Sequence, residues 1–353
     1  MGTLEDWARR AGGATLAVGL VACAIAPQPD APRGVTVDKI VVHGASLEGN
    51  LEGDPPDREV YVYLPPSYAA EPRRRYPVVY SLHGYGIGVE RWDSFLDAAA
   101  ALDRAFAAGA RELIVVAPDA RTLHIGSFYA NSVTTGDWES FLADDLVGHI
   151  DAEYRTIPDR DSRGIGGHSM GGYGSMRLVM KRPDVFGSVF AMSSCCFTPI
   201  GAEGPGGNIN PAGAVPLEEI TTLEQAEAIG FPGRVSLAFA AAWAPNPGKP
   251  PLYFDAPTKN GEPQPDVLAA MAANATTVMV HQHVPALRSL NAITLDIGLQ
   301  DALLGGNERM DEILTSYGIE HGWQTYEGDH GNRIPQRFEQ HMLPFFSDHL
   351  AFE

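Results

Sequence analysis

Eight short apolar segments separated by helical stretches constrain this 353-residue chain more than any other feature. The strand-like runs are residues 35–42, 60–64, 78–82, 113–117, 163–166, 185–192, 293–297 and 322–327. Helical composition or spacing marks residues 91–108, 138–154, the stretch from Met170, 307–317 with Asn307 as candidate cap, and 334–350. Residues 44–58 form a turn-rich hairpin region between the first two strands. Such alternation predicts an α/β fold, a mostly parallel, doubly wound sheet with helices on both faces. Hydrophobic residues make up 44% of the chain, enough for a sizeable core. The rhythm breaks at residues 199–285, a loop-rich insertion dense in Pro, Gly and Asn. A stretch of that length is functional or disordered in most domains, and it reads as a cap over the site.

The net charge of -19 argues against nucleic acid, whose phosphates need Lys and Arg, and disfavours anionic membrane surfaces. Arg9 and Arg10 precede an apolar stretch at residues 14–22, too short to span a bilayer. The run Leu20-Val21-Ala22-Cys23 resembles a bacterial lipobox, and a spacer with Pro27, Pro29 and Pro32 follows. Residues 1–34 are therefore expected to be an export signal and linker, with a lipid anchor at Cys23. Glu5 and Asp6 are atypical of a signal; without one the chain would be cytoplasmic. Residues 35–353 are expected to form one folded domain. Cys195 and Cys196 read as two small buried residues at a strand end, because a disulfide between neighbours needs a strained backbone. His281-Gln282-His283 lacks a third ligand nearby, so no metal is expected.

Between the strand at 163–166 and the helix from Met170 lies Gly167-His168-Ser169-Met170-Gly171. A serine on a sharp strand-to-helix turn presents its hydroxyl outward, beside the free N–H groups of the helix start. Gly167, Gly171 and Gly172 remove side chains that would crowd the turn. A serine nucleophile needs a base and a carboxylate to hold that base. In an open α/β sheet the partners should follow later strands, in the order Ser, acid, His. Asp301 follows the strand at 293–297, and His330 follows the strand at 322–327. Asp296 lies inside a strand and reads as structural. Asp329 adjoins His330 too closely to face it, and His321 is at the wrong end of the sheet. His341 and His349 belong to the terminal helix, and His168 is expected to pack beneath the elbow.

The oxyanion formed in acyl transfer needs two backbone donors. Met170 supplies one, and the loop His83-Gly84-Tyr85-Gly86 the other, with Tyr85 favoured over Gly86. Candidates for contacting substrate are Trp138, Asn131 and His83; Trp138 reads equally well as core, and Asp137 as a helix cap.

Asn131-Ser132, Gly136-Asp137-Trp138, Tyr154-Arg155-Thr156 and residues 167–174 together resemble the esterase branch of the α/β-hydrolase superfamily. Arg182-Pro183-Asp184-Val185-Phe186 and residues 298–304 fit the same pattern. That branch includes S-formylglutathione hydrolases, feruloyl and acetylxylan esterases, and mycolyltransferases. The resemblance covers roughly residues 58–350, loosely across the insertion. It implies an eight-stranded α/β-hydrolase fold, no cofactor, and Ser169, Asp301 and His330 as nucleophile, acid and base. The substrate would be a small-molecule or carbohydrate-linked ester. The alternative is an acyltransferase with the same triad and an alcohol acceptor; a non-catalytic binding protein would need a missing triad member.

Overall fold

The computed structural model describes residues 34–199 and 216–352. The expected export signal and the lipobox at Cys23 lie outside these residues. Eight strands form one sheet: β1 (Thr36–His43), β2 (Asp57–Leu64), β3 (Val78–Leu82), β4 (Ile114–Pro118), β5 (Arg163–His168), β6 (Ser188–Met192), β7 (Ala292–Gly298) and β8 (Gly322–Tyr326). Their spatial order is β1-β2-β4-β3-β5-β6-β7-β8. β2 runs antiparallel to β1 and β4; every other pairing is parallel.

The central strands are buried along their whole length, which is why they read as unbroken apolar runs. Alternate residues feed opposite layers. Val78, Tyr80 and Leu82 join one core, whereas Val79 packs in the other with the helices α1 (Val89–Leu96) and α2 (Ala98–Ala107). Those two helices replace the single helix expected over 91–108, because Asp97 takes a left-handed conformation, φ 49°, and breaks it. Residues 138–153 stay helical, with the turn widened over Phe141–Leu146.

Strand order reverses between β3 and β5. A pair of neighbouring strands whose connections leave in opposite directions opens a crevice at its carboxyl end. The two neighbours here end in His83-Gly84-Tyr85 and in Ser169, so both loops converge on one spot.

The described part of the insertion is largely helical, contrary to the loop-rich expectation. It holds helices at Leu223–Ala228, Phe231–Trp243, Pro265–Ala272 and Thr276–Arg288. The prolines mislead because Pro232 and Pro265 occupy first-turn positions, where no N–H is needed. Pro285 does disturb its helix, which kinks at His283. Among the described residues no helix is long and apolar enough to cross a membrane.

Candidate active site

Ser169 links β5 to the helix α3 (Met170–Lys181) with φ 57° and ψ -112°, a conformation forced on a non-glycine residue by the sharp turn. Its N–H donates to Met192 O at 3.0 Å, and its carbonyl accepts from Cys195 N–H at 3.2 Å. These bonds tie the elbow to the end of β6. A Cβ at Gly167 or Gly171 would collide with the backbone carbonyl of Leu82, so β3 can approach the elbow only if both stay glycine.

His330 sits in the loop after β8. Its Nδ1 lies 2.8 Å from Asp301 Oδ2, and its Nε2 lies 3.0 Å from Ser169 Oγ. A carboxylate at Nδ1 selects the tautomer that donates there and leaves the Nε2 lone pair facing the serine hydroxyl. The Asp301 side chain is fully buried, and its Oδ1 accepts the Leu303 N–H at 2.9 Å. Burial pushes the Asp301 pKa up, but the His330 bond and charge and the Leu303 N–H outweigh it and hold it below the usual carboxylate range. The two loops are cross-linked. Gln300 N–H donates to Gly328 O, Gly328 N–H donates to Gln300 Oε1, and Asp329 Oδ1 closes the turn by accepting from Gly331 and Asn332 N–H.

Neither the Tyr85 nor the Met170 N–H has an acceptor among the described residues, whereas Gly86 N–H is committed to Ile125 O at 3.1 Å. The Tyr85 ring is fixed by its hydroxyl, which donates to His124 O, and by stacking on Phe128.

The structure does not bring Trp138, Asn131 or His83 to the pocket. Trp138 is fully buried, edge-on to Phe141 and under the Arg58 guanidinium, with Nε1–H donating to Thr135 O. Asn131 Oδ1 caps the helix at Trp138–Ser140 by accepting Glu139 and Ser140 N–H, a task Asp137 leaves undone. His83 is buried; its Nε2 accepts the Ala120 N–H and its Nδ1–H donates to Gly84 O, so it shapes the Tyr85 loop from beneath. Asn307 lies inside the helix α5 of the chain's C-terminal part (Leu304–Ser316; the helix α4 is Phe231–Trp243) rather than capping it. Its buried amide donates to Ser194 O and Leu303 O. Cys195 and Cys196 are joined by a disulfide, contrary to expectation; Cys196 adopts φ 63°, which accommodates the eight-membered ring.

His168 does more than pack. Its Nε2–H donates to the His330 backbone carbonyl at 2.7 Å, and its ring stacks on Trp92, interplanar angle 9°. Burial, helped by the neighbouring His330, pushes its pKa down to about 3, so the ring is neutral. Asp296 is structural, as expected, paired to Arg337 Nε at 2.7 Å in full burial.

Ser169, Asp301 and His330 line a pocket of about 530 Å³. One wall is Tyr85, Phe128, Cys195, Phe231 and Val235; another is Ile87, Arg91 and Phe95 on and before α1. Phe231 and Val235 come from α4, inside the insertion. Apart from Tyr85, none of these wall residues has a motif around it; of the pocket lining, only the loops carrying Ser169, Tyr85, Asp301 and His330 were readable in advance.

Residues 55–344 match the family described as "Putative esterase". The chain belongs to that family. Curated proteins similar to this chain carry the names esterase and feruloyl esterase. It is 34% identical over 139 residues to an esterase of Mycobacterium tuberculosis, covering 38% of this chain and 28% of that protein. It is 30% identical over 142 residues to an endo-1,4-beta-xylanase/feruloyl esterase of Xylanibacter ruminicola, covering 39% of this chain and 20% of that one. The matches thus span under a third of those relatives' own length. Among solved structures it resembles a ferulic acid esterase, with TM-score 0.64, 22% identity, and coverage of 90% of this chain and 99% of the other. It also resembles the S-formylglutathione hydrolase of Staphylococcus aureus, with TM-score 0.59, 14% identity, and coverage of 89% and 99%. At such identities these likenesses establish the α/β-hydrolase fold of the esterase.

Proposed function

We propose that this esterase cleaves carboxylic esters through an acyl-enzyme formed on Ser169. The observation that carries the reading is the unbroken hydrogen-bond chain Ser169–His330–Asp301, at 3.0 and 2.8 Å. His330 Nε2 takes the Ser169 proton as Oγ attacks the ester carbonyl. The Tyr85 and Met170 N–H groups receive the oxyanion. His330 then gives its proton to the leaving alcohol, and the acyl-enzyme forms as the C–O bond breaks. Water, deprotonated by the same nitrogen, releases the acid and restores Ser169. Asp301 keeps Nδ1 protonated and stabilises the imidazolium. His168 holds the His330 backbone in place.

The Tyr85, Phe128, Phe231 and Val235 wall suits an apolar or aromatic acyl group. The α4 segment acts as part of a cap over that group. The His330 side chain is 42% exposed, which leaves Nε2 open to the acceptor of the second half-reaction, water in hydrolysis or an alcohol in transfer. Residues 1–34 fit export with a lipid on Cys23, which fatty-acid labelling of a Cys23→Ala protein would test by loss of label.

p-Nitrophenyl acetate hydrolysis by Ser169→Ala, His330→Ala and Asp301→Asn tests the mechanism. All three should fall by about three orders of magnitude or more in kcat. Wild-type turnover by Ser169→Ala would overturn it. Accumulation of acylated sugar in place of free acid, when a sugar is added, would favour the transferase.

A further inference from the structure

The pocket has two unlike walls, and the position of the base assigns them. Trp92 of α1 stacks on His168, and His168 Nε2–H holds the His330 carbonyl. The helix at Ile334–Arg337, which follows the His330 loop, packs against α1. α1 therefore stands on the His330 side of Ser169. The opposite wall carries Phe128, which is clustered with Tyr85, Phe239 and Trp243. The leaving oxygen must sit next to His330 Nε2 to receive its proton, so the alcohol departs along α1 and the acyl group occupies the Phe128 side.

Along α1, Arg91 and Phe95 are one turn apart and both line the pocket, with Ile87 just before the helix. Among the described residues Arg91 is the only Lys or Arg on the pocket wall. Its side chain has no hydrogen bond, ion pair or ring contact among the described residues. That is unusual here: nearly every other described arginine engages a carboxylate, a carbonyl or a ring, as Arg58, Arg104, Arg163, Arg177 and Arg337 do. In a chain carrying 44 acidic residues against 25 basic ones, an arginine left unengaged at the leaving-group exit is available to substrate.

We propose that Ile87, Arg91 and Phe95 form a leaving-group subsite that accepts an alcohol with an apolar body and a carboxylate, the carboxylate pairing with Arg91. The proposal rests on the serine mechanism above, which fixes the side on which the alcohol leaves. A planar guanidinium matches a carboxylate with two parallel N–H donors. One cation suits a singly charged group; a phosphate dianion would face an acid-rich protein with a single counter-charge.

Three esters test it: phenyl acetate, 3-carboxyphenyl acetate, with the carboxylate on the alcohol, and phenyl hemisuccinate, with the carboxylate on the acyl group. Arg91→Ala should lower kcat/KM for 3-carboxyphenyl acetate relative to phenyl acetate about fivefold, through KM, as expected for a partly exposed ion pair. Arg91→Glu should lower that ratio further, and about 0.5 M salt should erase the difference between wild type and Arg91→Ala. The hemisuccinate ratio should not follow. A carboxyphenyl ratio unmoved by Arg91→Ala, or a hemisuccinate ratio that falls equally, overturns the subsite. Ser169→Ala separates the two failures. If it still hydrolyses phenyl acetate, the serine mechanism is wrong; if it is inactive while Arg91→Ala leaves the ratio unmoved, only the subsite is wrong.

Discussion

Replacing His168 with phenylalanine keeps a flat ring against Trp92 and removes one donor, the Nε2–H that reaches His330 O at 2.7 Å. Leaving a buried carbonyl without its donor costs about 1–3 kcal/mol at neutral pH. The same histidine has a second, opposite consequence in acid. Its pKa is pushed down to about 3 by burial, so the folded protein refuses a proton that the unfolded chain accepts near pH 6.5. The stability it contributes is complete above about pH 6.5 and is lost by about 1.4 kcal/mol per pH unit as the pH falls toward 3. By pH 5 the wild type has lost about 2 kcal/mol on this account, and His168→Phe has lost none of it. Urea midpoints at about pH 7.5 and pH 5 should therefore show a destabilised variant at the higher pH and near-equality at the lower one. His330 loses its backbone anchor as well, so kcat should fall about tenfold or more with a smaller change in KM. A stability gap that is the same at both pH values would refute the neutral, buried histidine. An unchanged kcat would refute its positioning of His330.

Other outcomes follow from the same contacts. Gly171→Ala places a methyl group against the Leu82 carbonyl and should sharply reduce soluble yield and activity, because the clash is with backbone. Arg337→Met leaves the fully buried Asp296 carboxylate unpaired and should cost about 3–5 kcal/mol in urea unfolding. Restoring stability with Asp296→Asn in the same protein would confirm the cause, whereas a loss below about 1 kcal/mol would contradict it. Val235→Trp fills the acyl wall and should cut kcat/KM for long acyl chains more than for acetate; equal loss for both would place Val235 away from the acyl group.

The strands, Ser169, Asp301 and His330 were legible because each sits where the chain has little freedom. Five-residue buried runs advertise themselves, and Ser169, Asp301 and His330 each follow a strand, in the loops that gather at the carboxyl end of a parallel sheet. Trp138, Asn131 and His83 failed as substrate contacts because an aromatic or polar residue near a strand end reads alike whether it faces the pocket or the core. Asn131, exposed at the surface, caps a helix across a tight two-strand loop, which local sequence does not reveal. His168 acts on a carbonyl 162 residues away, and Phe231 and Arg91 reach the pocket from separate helices; such meetings exist only after the sheet has closed. The insertion's helices were hidden by prolines whose first-turn positions could not be distinguished from breaks.

Reaction with a fluorophosphonate followed by intact-mass and peptide mapping tests the central claim most directly. The wild type should gain one phosphonate, mapped to Ser169. Ser169→Ala should gain none, and His330→Ala should label far more slowly. An adduct mapped elsewhere, or labelling of Ser169 at the wild-type rate without His330, would contradict the account.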